Sequence, residues 1–371
     1  MSATIAGIIF ANAYDETLER FTQKRSIASV PFGGRYRLID FSLSNLVNAG
    51  ISNVGVITKE KYRSLMDHIG SGLPWDLDRK NGGIRILPPF NISKARIYQG
   101  YVEALYGAMD FMKRCNADHI VIYDARTIAN VDISAVVKTH VSSNADVTVV
   151  CRKGSEIIND DDTMTLDINK ENRVVLAGFP KTIGNDDWRS MGIFVFNREK
   201  LIKLVNTSYE NGGETISGDI IANNTDTLKI ATHKHDGFAA IMDSEKSYRD
   251  ANFALLEKEV RKDLFNVERP IYTKTRDDMP TRYGTKSSVK NSLIAEGCVV
   301  DGTVKNSILF RGVTVAKGAV VENSILMQGV SVGENSQLDN VVSDKNAVIS
   351  DGMIVKGTAE KAFFAEKNQK I

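Results

Sequence analysis

Few side chains in this sequence have the type and spacing to do chemistry. His233 and His235 stand two residues apart, so on a strand they would share a face and offer two imidazoles to a metal. No third ligand is nearby, and surface histidines are the expected reading. Trp75 and Trp188 could stack on a sugar or a base, with structural packing the expected role for both. Cys115, Cys151 and Cys298 lack paired metal spacing, and an odd total does not suit a secreted disulfide scaffold. They read as ordinary buried or semi-buried thiols of a reducing cytoplasm. The segments after Phe10 and after Ile122 remain, carrying Asp15 and Glu16 in one and Asp124 and Arg126 in the other.

Those two segments matter because of the elements that precede them. Thr4–Phe10, Ser42–Ala49, Val54–Thr58, Glu103–Lys113 and His119–Tyr123 alternate β-rich with helix-like runs, which predicts a parallel sheet covered by helices. In such a sheet ligands sit beyond the carboxyl ends of the strands, so these loops decide the function. From Val147 the pattern turns to strands, clearest at Val174–Leu176 and Ile193–Phe196. Tyr248–Lys262 then reads as a helix with Ala251, Leu255 and Val260 apolar. Pro270, Pro280 and Gly284 bracket a charged stretch that no helix or central strand tolerates, the best domain boundary.

Beyond Ser287 aliphatic residues recur every six positions: Ile294 to Val300, Leu309 to Val315 to Val321, and Val332 to Leu338. This period predicts a parallel β-helix, each hexad one flat side, with Gly297, Gly302, Gly318 and Gly333 turning the corners. Its open terminal strand edge predicts a covering partner chain or capping segment.

Composition sets the outer bounds. At about 150 residues per domain, 371 residues make two or three domains. The 47 basic and 46 acidic side chains leave a net charge of +1, which argues against a nucleic-acid or anionic-membrane specialist. With 42% hydrophobic and 25% charged residues, wholesale disorder is excluded. No run of eighteen apolar residues occurs, and Met1–Asn12 has neither a basic leader nor a small-residue cleavage pattern, so a soluble cytoplasmic protein is expected.

Several segments narrow the reading: Val30–Phe41 (VPFGGRYRLIDF), Pro74–Arg79 (PWDLDR), Asn81–Gly83 with Ile86–Pro89, Ser190–Phe194 (SMGIF), Pro270–Lys274 and Ile308–Val313. Together, and over nearly the whole chain, they resemble the bacterial ADP-glucose pyrophosphorylase family. The resemblance implies an α/β fold: a nucleotidyltransferase (Rossmann-like) mixed-sheet domain at 1–262, a linker at 263–286 and a left-handed parallel β-helix at 287–371. It also implies joining of glucose 1-phosphate to the AMP part of ATP with release of pyrophosphate. That reaction needs a backbone cradle for the triphosphate, cations on its oxygens and carboxylates holding magnesium.

The sequence departs from the family at each of those parts. The family's G-G-x-G-x-R-L loop reads Asn12-Ala13-Tyr14-Asp15-Glu16-Thr17-Leu18, so every glycine position bears a side chain and the arginine is Thr17. The metal aspartate of G-D-H-x-x-x-x-D, registered on Asp132, becomes Arg126. The second metal aspartate becomes Ile241, with Ser247-Tyr248 and Ala251-Asn252 fixing that register. The sugar-phosphate lysine of E-K-P is Phe179, between Gly178 and Pro180, and the lysine of A-K-P-A is Ile27. Asp124 and Asp243 each lie two residues from a missing ligand. Two extended residues span about 6.6 Å, against about 2.1 Å for a magnesium–oxygen bond, so substitution would require large backbone shifts.

The resemblance therefore implies a non-catalytic companion subunit with its magnesium site lost. It would assemble with the catalytic chain into a mixed tetramer and raise its activity or alter its effector response. An active glucose-1-phosphate adenylyltransferase using displaced ligands is the alternative. Lys24, Arg25, Arg35 and Arg37 match family positions near an activator pocket; they would hold a sugar-phosphate effector, or be surface charges. Arg126 would either place a fixed positive charge where the enzyme holds Mg²⁺, or pair with Asp124 or Asp15 and close the pocket. A coil-based acyltransferase is disfavoured, because no histidine follows His235 to act as its base.

Overall fold

Five of the six residues of Ile5–Phe10 are buried and none of the six is polar, as a strand covered on both faces requires. It pairs in parallel with Asn53–Ile57 and with His119–Asp124, and Phe10 lies opposite both Ile57 and Asp124. The computed structural model describes residues 3–12, 15–88, 100–154, 156–157, 163–180 and 182–371, without the side chains of 15, 16, 156, 157, 182 and 183. The sheet built on this strand runs in the order Val174–Gly178, Thr165–Ile168, Trp188–Asn197, His119–Asp124, Ile5–Phe10, Asn53–Ile57, Gly83–Leu87. Val147–Lys153 and Ile230–Lys234 branch from Trp188–Asn197. Trp188–Asn197 is antiparallel to His119–Asp124, which makes the sheet mixed.

Alternation along each strand divides the core. Ile8 and Phe10 face one apolar cluster with Ile122 and Phe194, while Ile9 faces the other with Ile39, Leu43 and Tyr123. Leu38–Asn48, which contains most of the expected Ser42–Ala49 helix, packs so closely that a methyl on Gly7 would lie 2.7 Å from Leu46. Asp132 caps the next helix, Ile133–Ser143, by accepting from the Ala135 N–H at 3.0 Å, and Asn144 ends it in a left-handed conformation. Two helices expected as continuous are broken. Glu103–Lys113 divides at Ala108 into Tyr101–Gly107 and Met109–Arg114, and Tyr248–Lys262 divides into Glu245–Ala254 and Lys258–Leu264.

The C-terminal region consists of three parallel five-stranded sheets, the three sides of a left-handed β-helix. The six-residue steps hold: Ile294, Leu309 and Leu326 stack on one side, Val300, Val315, Val332 and Ile349 on the second, and Val304, Val321 and Leu338 on the third. A complete turn, however, is mostly 17 residues rather than three full hexads, as in Val315 to Val332 to Ile349. Each shortened corner carries an asparagine at positive φ, Asn291, Asn306, Asn323 and Asn340 in succession. Asparagine tolerates this region better than other side-chain-bearing residues, and the tight bend saves one residue. Of the four expected corner glycines, Gly297 and Gly318 have positive φ. Gly302 and Gly333 are needed for space instead, since a Cβ on either would lie 2.4 Å from an oxygen of the next turn.

The packing divides the chain differently from the expected 1–262, 263–286 and 287–371. One unit comprises Met1–Ser29, Leu38–Asp243 and Leu264–Tyr272; the other comprises Val30–Arg37, Ser244–Asp263 and Thr273–Ile371. Specific bonds account for the reassignment. The Tyr248 hydroxyl donates to the Pro31 carbonyl at 2.7 Å, the Gly33 N–H donates to Asn252 at 3.0 Å, and Arg249 donates to the Thr358 carbonyl at 3.2 Å. The expected linker also contains the first strand of the coil, Arg282–Tyr283.

Candidate functional site

Asp124 ends the central His119–Asp124 strand, at the carboxyl edge where the topology directs a search for chemistry. Three residues on, the chain enters the short strand Thr127–Ala129, which pairs with Ala239–Ile241 and sets Ile241 opposite Thr127. The Met242 N–H donates to the Arg126 carbonyl at 3.1 Å. The two positions at which the family resemblance expects metal aspartates, Arg126 and Ile241, thus lie side by side and line one cavity with Asp124.

Within that cavity the Asp124 carboxylate is bonded at both oxygens. The Arg126 backbone N–H donates to Oδ1 at 2.9 Å, while Arg126 Nε and the Tyr101 hydroxyl both donate to Oδ2 at 3.0 Å. The Arg126 and Asp124 side chains are only 7% and 9% exposed, so the pair is shielded from solvent. Tyr101 is itself held edge-on against Phe10, ring centroids 4.5 Å apart. Ser190, Met191 and Gly192 also line the cavity. Gly192 has φ +66°, and a Cβ there would meet the Asp124 Cβ at 3.0 Å, so a side chain would be both strained and crowded. The space within this cavity is about 30 Å³.

The remaining predicted positions are dispersed. Thr17 lies in the 3₁₀ turn Asp15–Leu18, whereas Ala13, Tyr14 and the Asp15 and Glu16 side chains fall outside the described residues. Asn12 joins its strand to the next loop, accepting from the Lys59 N–H at 3.1 Å and donating to the Glu60 carbonyl at 2.8 Å. Phe179 is 41% exposed, and Ile27 is fully buried. Asp243 is buried. Among the described residues, no group of three or more His, Cys, Asp or Glu side chains is arranged to hold a metal ion.

The basic candidates are divided between the two units, with Lys24 and Arg25 in the first and Arg35 and Arg37 in the second. Lys24 is exposed but Arg25 is buried. Arg35 makes an ion pair with Glu296 at 3.1 Å, and the same carboxylate takes Arg311 at 3.3 Å. Burial raises the Glu296 pKa, but hydrogen bonding and these two arginines outweigh it and hold the carboxyl below its usual range.

The aromatic and imidazole candidates resolve in other ways. Trp75 is buried against His68, as expected of a packing residue. Trp188 is half-buried, with the ammonium groups of Lys153 and Lys234 at 5.4 and 4.9 Å from its ring centre. His233 and His235 are partly exposed; each is hydrogen-bonded, His233 to the Thr139 hydroxyl at 3.1 Å and His235 to the Phe238 carbonyl at 3.4 Å. All three cysteines are free thiols, and burial pushes that of Cys151 up to about 12. Sequence reasoning missed Tyr101, whose distance along the chain gave no signal. The role of Gly192 was signalled only by the SMGIF segment.

Residues 6–251 match the family model described as nucleotidyl transferase, and residues 278–364 match the GlmU-like, C-terminal hexapeptide model. The class is thus a nucleotidyltransferase domain carrying a hexapeptide coil. The chain is 37% identical to the glycogen biosynthesis protein GlgD of Bacillus subtilis (strain 168) over 361 residues, 97% of this chain and 95% of that one. It is also 37% identical to the GlgD of Geobacillus stearothermophilus, over 86% of this chain and 84% of that one. Its identity to a glucose-1-phosphate adenylyltransferase of Clostridium botulinum (strain Eklund 17B / Type B) is 36%, over 85% of this chain and 83% of that one. The chain belongs to the ADP-glucose pyrophosphorylase family, as a protein of the GlgD type.

Proposed function

We propose that this chain is a regulatory, catalytically silent subunit of ADP-glucose pyrophosphorylase in bacterial glycogen biosynthesis, acting in the cytoplasm by joining the catalytic subunit and raising its activity. The observation that carries the proposal is the buried Asp124–Arg126 pair at the centre of the former reaction site. A dication brought to about 4 Å from the guanidinium would be repelled by about 8 kcal/mol at an effective dielectric of about 20. Both Asp124 oxygens already accept bonds, which weighs against magnesium held by Asp124 and Asp243 and against the active-enzyme alternative. The cavity's 30 Å³ is room for about one water, where small-molecule sites offer about 300–1,000 Å³. Of the two roles considered for Arg126, pairing that closes the pocket is the better supported. The Asp15 side chain that might have shared it lies outside the described residues.

The decisive assay supplies the purified chain with ATP, glucose 1-phosphate and magnesium and measures pyrophosphate. The expected result is silence alone, with stimulation when the catalytic chain of the same organism is added. Turnover near that of a catalytic subunit would reject the proposal. The accompanying proposals are a mixed tetramer with the catalytic chain and a sugar-phosphate effector engaging Lys24, Arg25, Arg35 and Arg37. An unchanged response of the mixed complex to fructose bisphosphate after Lys24→Ala and Arg37→Ala would reject the effector assignment.

A further inference from the structure

The chain contains the tripeptide Asn-Gly-Gly twice, as Asn81-Gly82-Gly83 and as Asn211-Gly212-Gly213. Asparagine followed by glycine is open to one reaction in particular, because the glycine has no Cβ to block the approach of its nitrogen to the asparagine side-chain carbonyl carbon. Both asparagines are exposed, so neither local sequence nor access to solvent separates the two sites. Their backbones do.

Asn211 follows the helix Arg198–Glu210 and is held as part of its end. The N–H groups of Asn211, Gly212 and Gly213 donate to the carbonyls of Thr207, Tyr209 and Ser208 at 3.2, 3.1 and 2.8 Å. With the Asn211 ψ at 4°, the Gly212 nitrogen eclipses the nitrogen of Asn211 and faces away from its side chain. The attacking atom is therefore both engaged and misdirected. At the other tripeptide, among the described residues, neither the Asn81 side chain nor the Gly82 N–H makes a hydrogen bond. The first bond there is donated by Gly83, to the Ser52 carbonyl at 2.6 Å. Gly82 and Gly83 lie at φ +86° and +76°, so the chain bends directly before the strand Gly83–Leu87, which is the edge of the sheet and pairs with Asn53–Ile57.

We propose that Asn81–Gly82 is a site of spontaneous deamidation and isomerisation in the folded protein, and that the fold protects Asn211–Gly212 from the same reaction. The Gly82 nitrogen attacks Asn81 Cγ and forms an N–Cγ bond. The Cγ–Nδ2 bond breaks, and Nδ2 leaves as ammonia with the proton of the Gly82 N–H. Solvent water then opens the cyclic imide. Cleavage of the new N–Cγ bond gives aspartate. Cleavage between the Gly82 nitrogen and the Asn81 main-chain carbonyl carbon gives isoaspartate, in which the chain runs through Cβ and Cγ. Either product places a negative charge beside Lys80. Isoaspartate also lengthens the backbone by one carbon just ahead of the Gly83–Ser52 bond, and so loosens the start of the edge strand.

The test incubates the folded full-length chain in mildly alkaline buffer and follows both tripeptides by peptide-mapping mass spectrometry, with isoaspartyl methyltransferase labelling to identify the β-linked product. Asn81 should react at least about fivefold faster than Asn211, the factor that one hydrogen bond on the attacking nitrogen is worth. In urea, where neither backbone is held, the two rates should converge. Asn81→Gln, at an exposed position, should remove the isoaspartate from that peptide while leaving the fold intact. Equal rates in the folded protein would overturn the proposal, as would faster reaction at Asn211 or no isoaspartate at Asn81. A rate difference that persists in urea would overturn it too, by assigning the selectivity to the flanking Lys80 and Glu210 instead of the fold.

Discussion

Lowering the pH from 7.5 to 5.0 should destabilise the N-terminal unit through His140. This residue is 1% exposed at the end of Ile133–Ser143, its Nδ1 bonded to the Thr148 hydroxyl at 2.9 Å and its ring edge-on to His119 with centroids 4.8 Å apart. Burial disfavours the imidazolium most, the neighbouring His119 adds to this, and Asp146 opposes it only in part, so the pKa is pushed down to about 4. An unfolded histidine titrates near about 6.5. Between those values the unfolded chain binds more protons than the folded one. The stability contributed by neutral His140 is therefore complete above about pH 6.5 and is lost progressively as pH falls towards 4. Integrated from pH 7.5 to 5.0, the loss is about 2 kcal/mol. His119, whose pKa burial also lowers against the pull of Asp118, adds in the same direction. Both tryptophans of the chain, Trp75 and Trp188, belong to this unit, so urea unfolding followed by tryptophan fluorescence reads it directly. The wild type should lose about 2 kcal/mol more than His140→Gln over this pH interval. Equal losses in the two proteins would refute the assignment.

The same assay tests the buried Asp124–Arg126 pair. Arg126→Met should cost about 3–5 kcal/mol by stranding the Asp124 charge, and adding Asp124→Asn should recover most of it. Gly192→Ala should cost about 1–3 kcal/mol, because a methyl at φ +66° both strains the backbone and presses on Asp124; a neutral result would mean the wall yields. In the coil, Asn323→Ala loses a left-handed residue and a bond donated to Asp339 at 2.9 Å, and should cost about 1–2 kcal/mol in thermal unfolding. Asn323→Gly should restore the backbone part alone, leaving a smaller deficit than the alanine variant.

How much of this was legible in the sequence depended on the range of the interactions. The central strands announce themselves because Ile5–Phe10 and His119–Asp124 are aliphatic runs, and period six at Leu309, Val315 and Val321 is what an inward-facing stack requires. The asparagine corners are less legible than glycine ones, because asparagine also occupies ordinary backbone regions, although the spacing of Asn306, Asn323 and Asn340 matches the turn length. Residues 30–37 and 244–263 could not be assigned to their unit, since the Tyr248–Pro31 bond joins positions 217 residues apart. At the site, the family resemblance expected Arg126 in place of a metal ligand and left two partners open. Local geometry favoured the nearer, because the Asp124 carboxylate can reach both the backbone N–H and the guanidinium of a residue two places on. Tyr101 came from a remote segment whose convergence with Asp124 no local pattern records.

The asparagine-cornered coil has a mechanical consequence. Every turn is sewn to the one above and the one below by parallel strand pairing, so resistance to unwinding accumulates rung by rung. Amide exchange should be slowest around Val315 and Val332 and quicken towards Tyr283 and Ile354. Under tension or partial denaturation such a spiral should fray from its extremities while the middle still holds, so any chain clasping an outer rung would act as a lock on the whole spring.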